Sequence, residues 1–340
     1  MRDKPDITEG QIAACLCDDY GIAAVSVRFL PIGHDANASV FEALTAGGEA
    51  YFVKVRADGV PPASLIVPRV LIEYGIPNIL APLRSRSGAL WSALNRYSLI
   101  VTPFIRGENA KVAGLSDSQW REFGATLRAI HAGGFAALME EQVPRETFSL
   151  PSARLVRRIA AQIPGARFDS RAATCLAAFW GENAPFIEQV VARAEALGKR
   201  LQQMPFEFVL CHADIHAANI LVSPEGRIYL IDWDGPLLAP RERDLLFVVG
   251  GRIARPVLPP EETLFFEGYG KADIEGTALA YYRYERAIED IGEFGRSVFW
   301  KRELSEATRE EETGLFIGLF GPGSILEAAM DADREQSGSF

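Results

Sequence analysis

The spacing of apolar and polar positions changes along the 340-residue chain. Apolar and polar residues alternate over short runs in the N-terminal third, and this period of two predicts β-strands over 25–31, 39–45, 50–56, 89–94 and 97–103. Apolar residues then recur at every third or fourth position over longer runs, which predicts helices over 117–131, 150–204, 261–270, 274–292 and 305–319. The pattern therefore predicts an α+β protein with a β-rich N-terminal part, a mainly helical C-terminal part and a polar tail.

Local motifs place two helix starts and the boundary between these parts. Thr8-x-x-Gln11 and Ser116-x-x-Gln119 are capping boxes, each of which opens a helix. The segment 101–107 leaves the β-rich part through a proline and a glycine. We place the boundary near residue 105, so that the chain divides into an N-terminal lobe, 1–105, and a helical C-terminal lobe, 106–340. Gly181 is expected to break the long helical stretch.

A polar loop and a hairpin within residues 206–235 carry the strongest chemical pattern. Asp214 follows an apolar strand, Asn219 comes later in the same loop, and Asp232 follows the second hairpin strand. This order matches a kinase-type phosphoryl transferase, in which the first carboxylate is the base and the other two side chains hold Mg²⁺. Carboxylate and amide oxygens suit Mg²⁺, so Asn219 and Asp232 are plausible ligands. The competing interpretation is that all three side chains only satisfy a turn and end a strand.

Lys54 is a candidate for binding phosphate. Alternation along its strand turns Lys54 away from Val53 and Val55, and a lysine on a largely buried strand is costly unless it meets an anion. Kinases pair this lysine with a glutamate on the following helix, but the only acids between Lys54 and Gly75 are Asp58, which comes too early, and Glu73, near the helix end. Either Glu73 is the partner through an altered helix, or nucleotide and loop alone hold the lysine. A lysine at a sheet edge with its ammonium group in solvent is the alternative.

Two loops complete the candidate nucleotide site. The small, polar loop 33–39, which includes Gly33, Asn37 and Ser39, can fold over phosphates through its backbone N–H groups. The backbone of the linker at Pro103 and Ile105 could hydrogen-bond the edge of an adenine. Each loop could equally be a plain connection.

Composition narrows the class of protein and its partners. Hydrophobic residues make up 48% of the chain and charged residues 24%, which is typical of a globular protein. The net charge of −10 argues against nucleic acid as a partner and is compatible with a cationic small molecule. We recognise neither a signal peptide nor an apolar run of membrane-spanning length. The four cysteines lack zinc-site spacing, so we expect reduced thiols in a cytoplasmic monomer or weak dimer.

The strand lysine, the H-x-D-x-x-x-x-N loop and the I-D-W-D that follows resemble the aminoglycoside phosphotransferase family. The runs VLCHADIHAANILV, IYLIDWDGPLLAPRERDLLFV, FFEGYG and YYRYERAIEDI extend this resemblance over most of the chain, towards its spectinomycin phosphotransferase branch. The resemblance implies a bilobal, protein-kinase-like fold and ATP-dependent phosphorylation of an antibiotic hydroxyl, which would confer resistance. It also implies Asp214 as the base, Asn219 and Asp232 as Mg²⁺ ligands, and Lys54 as a phosphate contact.

A cationic substrate has two candidate binding regions. Asp234 resembles a residue on the substrate side of the metal site. Glu285 and Glu289 repeat on one face of a predicted helix, with Asp290 beside them, and this acidic stripe could bind an amino sugar. A solvated helix face is the alternative.

Three other functions remain open from the sequence. A kinase of the same fold could phosphorylate a metabolite such as choline, homoserine or a sugar, because the fold does not fix the acceptor. A nucleotide-binding module without transfer activity is suggested by the missing glutamate partner of Lys54. A zinc hydrolase would use His212, Asp214 and His216 as alternating ligands. The family resemblance instead makes His212 a support of the catalytic loop and leaves His216 as a loop residue only.

Overall fold

A computed structural model describes residues 6–31, 38–302 and 304–337 of the protein. Its strands are β1 (Ala24–Leu30), β2 (Ala38–Thr45), β3 (Ala50–Arg56), β4 (Ser92–Leu94), β5 (Tyr97–Pro103), β6 (Glu108–Asn109), β7 (Val209–Cys211), β8 (Ile220–Val222), β9 (Ile228–Leu230) and β10 (Leu237–Ala239). Its α-helices are α1 (Glu9–Cys15), α2 (Pro62–Glu73), α3 (Ala110–Ala113), α4 (Asp117–Ala132), α5 (Phe135–Leu138), α6 (Pro151–Gln162), α7 (Arg171–Leu201), α8 (Glu242–Leu245), α9 (Pro259–Tyr269), α10 (Gly276–Trp300), α11 (Glu306–Gly318) and α12 (Ile325–Ser337). A π-helical turn, Leu16–Tyr20, continues α1, and a 3₁₀ turn, Ala217–Asn219, precedes β8.

The chain forms two compact units. The first unit runs to Pro144 and also contains His212–Leu237, and the second contains Arg145–Cys211 and the chain from Leu238 onward. The predicted boundary near residue 105 assigned the catalytic loop to the helical part instead. Local pairing explains the difference, because β8 pairs with both β6 and β9 and the Leu230 N–H donates to Asn78 O at 2.7 Å. The functional division into 1–105 and 106–340 stays a prediction.

An antiparallel sheet with the strand order β1-β2-β3-β5-β4 forms the β-rich part of the first unit. Gly48, at φ 87°, makes the turn between β2 and β3, where the sequence predicts one. Val53 and Val55 are buried in the core of this unit, while Lys54 lies opposite Val40 on one side and Ile100 on the other. Lys54 therefore lies on the opposite face of β3 from Val53 and Val55, as the alternation in the sequence predicts. The strand predicted over 89–94 is shorter in the structure and comprises only β4.

Both predicted capping boxes are present. The Gln11 N–H donates to Thr8 Oγ1 at 3.2 Å, and the Gln119 N–H donates to Ser116 Oγ at 3.4 Å. α4 buries the apolar face that its period predicts, namely Trp120, Phe123, Leu127 and Ile130. Gln119 also donates through Nε2 to Gly226 O at 2.9 Å, which fixes the hairpin turn between β8 and β9 against the start of α4.

α10 is the central helix of the second unit and packs against α6, α7, α11 and α12. It carries Tyr281 and Tyr282, which are fully buried. Trp180 of α7 stacks on Phe316 of α11 with ring centroids 5.2 Å apart. Large aromatic side chains therefore supply much of the apolar area that this helical unit buries.

Two predictions for the second unit are wrong. α7 continues through Gly181 and even through Pro185, because buried side chains on both sides, such as Trp180 and Ile187, outweigh the weak helix propensity of one glycine. The predicted polar tail contains α12, whose buried face consists of Ile325, Leu326, Ala328, Ala329 and Ala332. The amphipathic face was not recognised in the sequence because three of its residues are alanines, which are only weakly apolar and lie among charged residues.

Replacing Gly198 with alanine is expected to destabilise the protein. A Cβ at this position in α7 would lie 2.5 Å from Phe148 O and 3.1 Å from Tyr281 Cε2, so the backbone must shift. We expect a loss of about 1–3 kcal/mol in the free energy of unfolding, measured by urea denaturation. Gly181→Ala is the matched control, because the same change in the same helix meets no atom within 4 Å. It should stabilise the protein by about 0.5–1 kcal/mol, and an equal loss in both variants would contradict the packing argument.

Two further observations concern membranes and cysteine chemistry. Among the described residues, no helix combines the length and the apolar character needed to cross a bilayer. The four cysteines are free thiols, with Cys15 and Cys211 buried. Burial raises the pKa of both thiols, so neither favours the reactive thiolate form.

Candidate active site

His212 holds the catalytic loop from inside. Its Nδ1 accepts a hydrogen bond from the Asp214 N–H at 3.3 Å, and its Nε2 lies 2.9 Å from Ile231 O. Since Nδ1 accepts, Nε2 is the nitrogen that can donate to Ile231 O. The ring is buried and packs on Trp233, with centroids 4.4 Å apart. His212 therefore has the supporting position that the resemblance implies. Since both nitrogens make these contacts, the ring does not suit the zinc-ligand interpretation.

The backbone of this site departs from ordinary conformations at two positions. Ala213 has φ 69° and Asp232 has φ 64°, values that residues with a Cβ rarely adopt. Such strain persists only where the surroundings fix the chain, and it is common at functional sites. Two hydrogen bonds hold the backbone near these positions, from Trp233 Nε1 to Leu230 O at 3.2 Å and from the Ile231 N–H to Asn219 O at 3.0 Å. The loop and the end of β9 are therefore held as one piece.

Asp214 and Asn219 are in direct contact. Asn219 Nδ2 donates to Asp214 O at 2.8 Å and to Asp214 Oδ2 at 3.1 Å. This contact fixes the orientation of the amide, so Oδ1 is the atom that Asn219 can offer to a cation. The Asp214 side chain is 39% exposed, which leaves its carboxylate within reach of a substrate. One amide can therefore orient the base and serve as a metal ligand.

Lys54 lies beside both carboxylates of the I-D-W-D segment. Its Nζ is 2.8 and 3.0 Å from the two oxygens of Asp234 and 3.8 Å from Asp232 Oδ1. Arg56, on the same face of β3, lies 3.5 Å from Asp234 Oδ2. Burial raises the pKa of the Asp232 carboxyl, and Asp234 raises it further, while Lys54 opposes the rise. The site thus brings two cations and two carboxylates together.

Asp234 is the acidic partner of Lys54 that the sequence did not identify. The alternative partner Glu73 instead contacts Arg69 and Arg84, each at 2.9 Å, so the prediction for Glu73 is wrong. The sequence does contain an indication of the true partner, because Asp234 repeats the acid two residues after Asp232. The resemblance predicts Asp234 on the substrate side of the metal site; in the structure it contacts the cations of β3, and a role toward the substrate stays a prediction.

The residues present fit a Mg²⁺ ion. Asn219 offers an amide oxygen and Asp232 a carboxylate, which are the hard donors that Mg²⁺ prefers. Burial raises the pKa of Asp232 and repulsion from Asp234 raises it further, and a bound divalent cation would relieve that repulsion. Asn219 and Asp232 therefore remain the residues that we expect to hold the ion.

The predicted nucleotide loops are only partly described. Gly33 and Asn37 lie outside the described residues. Ser39 lies in β2 opposite Val55, and Pro103 ends β5, followed by the half-buried Ile105 in the linker. The roles of these residues in binding phosphate and adenine stay predictions.

Arginines lie beside the acids of the predicted stripe on α10, Arg286 on the same helix and Arg243 on α8. Arg243 forms an ion pair with Glu285, and Arg286 lies 3.3 Å from Asp290 and 4.0 Å from Glu289. Burial raises the pKa of Glu285 to about 7, against the opposing effect of Arg243. A cationic substrate would meet a mixed-charge surface here, so a role in substrate binding stays a prediction.

Comparison with known proteins identifies the family. A model of the phosphotransferase enzyme family (APH) matches residues 28–283. The chain belongs to this family. It is therefore a phosphotransferase with an alcohol group as acceptor, and its α+β, protein-kinase-like fold is as predicted.

Individual relatives differ in what they act on. The structure of spectinomycin phosphotransferase APH(9)-Ia, in complex with ADP and spectinomycin, is 33% identical, with a TM-score of 0.86 over 97% of this chain and 99% of that one. Amicoumacin kinase hAmiN, at 18% identity and a TM-score of 0.63 over 94% of this chain and 95% of its own, shares the fold. Protein StrN of Streptomyces griseus is 26% identical over 71% of this chain and 75% of its own length. The two solved structures thus share the fold of this chain, and their names give different substrates.

Proposed function

We propose that this phosphotransferase transfers the γ-phosphoryl group of ATP to a hydroxyl of an aminocyclitol antibiotic, with spectinomycin as the favoured acceptor, and thereby confers resistance. The observation that carries the proposal is the 33% identity to a spectinomycin phosphotransferase over nearly the whole of both chains. The ADP and spectinomycin in that relative's complex support a nucleotide and an aminocyclitol as ligands of this chain.

The contacts of the first unit support a specific division of labour. Asp214 accepts the proton of the attacking hydroxyl, and Asn219 orients its carboxylate. Lys54, held by Asp234, binds the phosphates of the nucleotide. Mg²⁺ bound to Asn219 and Asp232 would neutralise charge on those phosphates. The contacts of Asp214 and Lys54 support their roles directly, and the contact of Asn219 leaves its Oδ1 available to Mg²⁺.

A metabolite kinase is the second candidate, because a choline kinase shares the fold. Choline kinase LicA from Streptococcus pneumoniae covers 92% of this chain with a TM-score of 0.55 and 16% identity. The catalytic carboxylate and amide do not select an acceptor, so only a direct assay separates these functions.

Phosphorylation of an acceptor panel tests the proposal. We expect the purified protein with ATP and Mg²⁺ to add a single phosphate to spectinomycin, read by mass shift. Several aminoglycosides, choline and homoserine should remain unmodified. The Asp214→Ala protein, prepared in parallel, is the control for a contaminating kinase and should give no product.

Other outcomes separate the alternatives. If only choline or homoserine is phosphorylated, the acceptor is a metabolite and not an antibiotic, and the roles proposed for the catalytic residues are unchanged. Binding of ATP without product from any acceptor would contradict the proposed substrate class. The cytoplasmic location and the monomeric or weakly dimeric state stay predictions. Size-exclusion chromatography can test the oligomeric state.

A further inference from the structure

We propose that His216 is a positioning residue that holds the carboxylate of Asp214 in the orientation needed to accept a proton. The inference rests on the proposed function, because it assumes that Asp214 is the base. His216 is more than the loop residue that the sequence suggests, since its ring faces Asp214 from within the same loop.

The orientation of the His216 ring is set by the backbone. His216 is the N-cap of the 3₁₀ turn Ala217–Asn219, and its Nδ1 accepts a hydrogen bond from the Ala218 N–H at 3.2 Å. An accepting Nδ1 is unprotonated, so the neutral ring carries its proton on Nε2. The side chain is only 14% exposed. The turn thus fixes both the position of the ring and the nitrogen that can donate.

The donating nitrogen faces the catalytic carboxylate. His216 Nε2 lies 3.6 Å from Asp214 Oδ1, while Asn219 Nδ2 lies 3.1 Å from Asp214 Oδ2. His216 and Asn219, at the two ends of one short turn, therefore lie next to different oxygens of the same carboxylate. A separation of 3.6 Å exceeds a normal hydrogen-bond length, so this contact is an electrostatic attraction between the ring N–H and the carboxylate. Catalytic contacts are often long without substrate and shorten in the reacting complex.

This arrangement restricts how the base can rotate. Asn219 contacts one oxygen of the carboxylate, and His216 lies beside the other. His216 adds a second point of attraction, so the lone pair that receives the proton keeps a fixed direction. Misplacement of a reacting group by about 1 Å can lower a rate by up to about 100-fold. Loss of the His216 contact should therefore reduce kcat measurably, but less than loss of Asp214 itself.

Two substitutions separate the contact with Asp214 from the capping of the turn. His216→Asn keeps a side-chain oxygen that can accept from the Ala218 N–H, but it is too short to reach Asp214. His216→Ala loses both contacts. We expect both variants to lower kcat about 10-fold, with the KM for ATP within about 2-fold of wild type. Only His216→Ala should also lower the melting temperature.

Coupling to Asp214 completes the test, with the acceptor that takes phosphate in the panel assay. In an Asp214→Ala background, His216→Asn should cause no further loss of the residual rate, because its effect acts through the missing carboxylate. If His216→Asn has the wild-type kcat, His216 only caps the turn and the inference is overturned, even though Asp214→Ala is inactive. If Asp214→Ala itself transfers phosphate at the wild-type rate, the proposed mechanism fails and the inference falls with it.

Discussion

Asp214→Ala is expected to lower kcat by about 10²–10⁴-fold, which is the usual contribution of a general base. Its carboxylate is the exposed acceptor of the loop, held by Asn219 at 3.1 Å and faced by His216 at 3.6 Å. The substitution removes the proton acceptor but none of the groups that we expect to hold the nucleotide. The affinity for ATP and Mg²⁺, measured by calorimetry, should therefore stay within about 2-fold of wild type.

An isosteric variant separates proton transfer from shape. Asp214→Asn keeps the size of the side chain but offers a much weaker acceptor, so we expect the same loss of kcat as in Asp214→Ala. A near-normal rate in Asp214→Asn would mean that the position needs only a polar group. Equal losses of ATP affinity and turnover in either variant would count against the role of Asp214 as the base. Melting temperatures close to wild type would exclude unfolding as the cause.

The catalytic loop could be anticipated because its parts are close in sequence. Asp214 and Asn219 belong to one loop, so their contact follows from a short turn and needs no knowledge of how the chain folds at longer range. The strand position of Lys54 was predictable for a similar reason, since alternation along one strand decides which face it occupies. Local periodicity therefore gives the direction of a side chain and the order of a motif.

The partner of Lys54 was not predictable on these grounds. Lys54 and Asp234 are separated by 180 positions, and only the tertiary fold brings them within hydrogen-bonding distance. The following helix offers Glu73, but that carboxylate forms ion pairs with Arg69 and Arg84. Sequence spacing can state that a buried lysine needs an acid, but it cannot choose among acids that are distant along the chain.

The second unit shows the same limit for helices and charges. Propensity predicted a break at Gly181, but burial on both sides of it keeps α7 continuous. Glu285 looked like part of an acidic stripe because Arg243, its ion-pair partner, lies on another helix. The break predicted at Gly181 is wrong because packing outweighs a local preference, and the arginine beside Glu285 could not be foreseen because it is remote in sequence.

Asp232→Asn is expected to raise the Mg²⁺ concentration needed for half-maximal activity by at least about 10-fold and to lower the maximal rate. An amide keeps an oxygen for the ion but lacks the charge that draws a divalent cation. The same change should weaken ADP binding in the presence of Mg²⁺ and hardly affect it with EDTA, a readout that needs no turnover. The metal-free protein should be no less stable, because burial and Asp234 already disfavour the ionised form of Asp232.

Asp234→Asn is the matched comparison, since it removes the same charge two residues further along the chain. Asp234 contacts Lys54 at 2.8 Å and Arg56 at 3.5 Å, so its loss should disturb the cations that we expect to meet phosphate. We therefore expect Asp234→Asn to weaken nucleotide binding to a similar extent with Mg²⁺ and with EDTA. If both variants instead depend on Mg²⁺ in the same way, Asp234 shares the ion with Asp232 and its contact with Lys54 is not its main role. If neither variant changes the Mg²⁺ requirement, the metal site proposed at Asn219 and Asp232 is wrong.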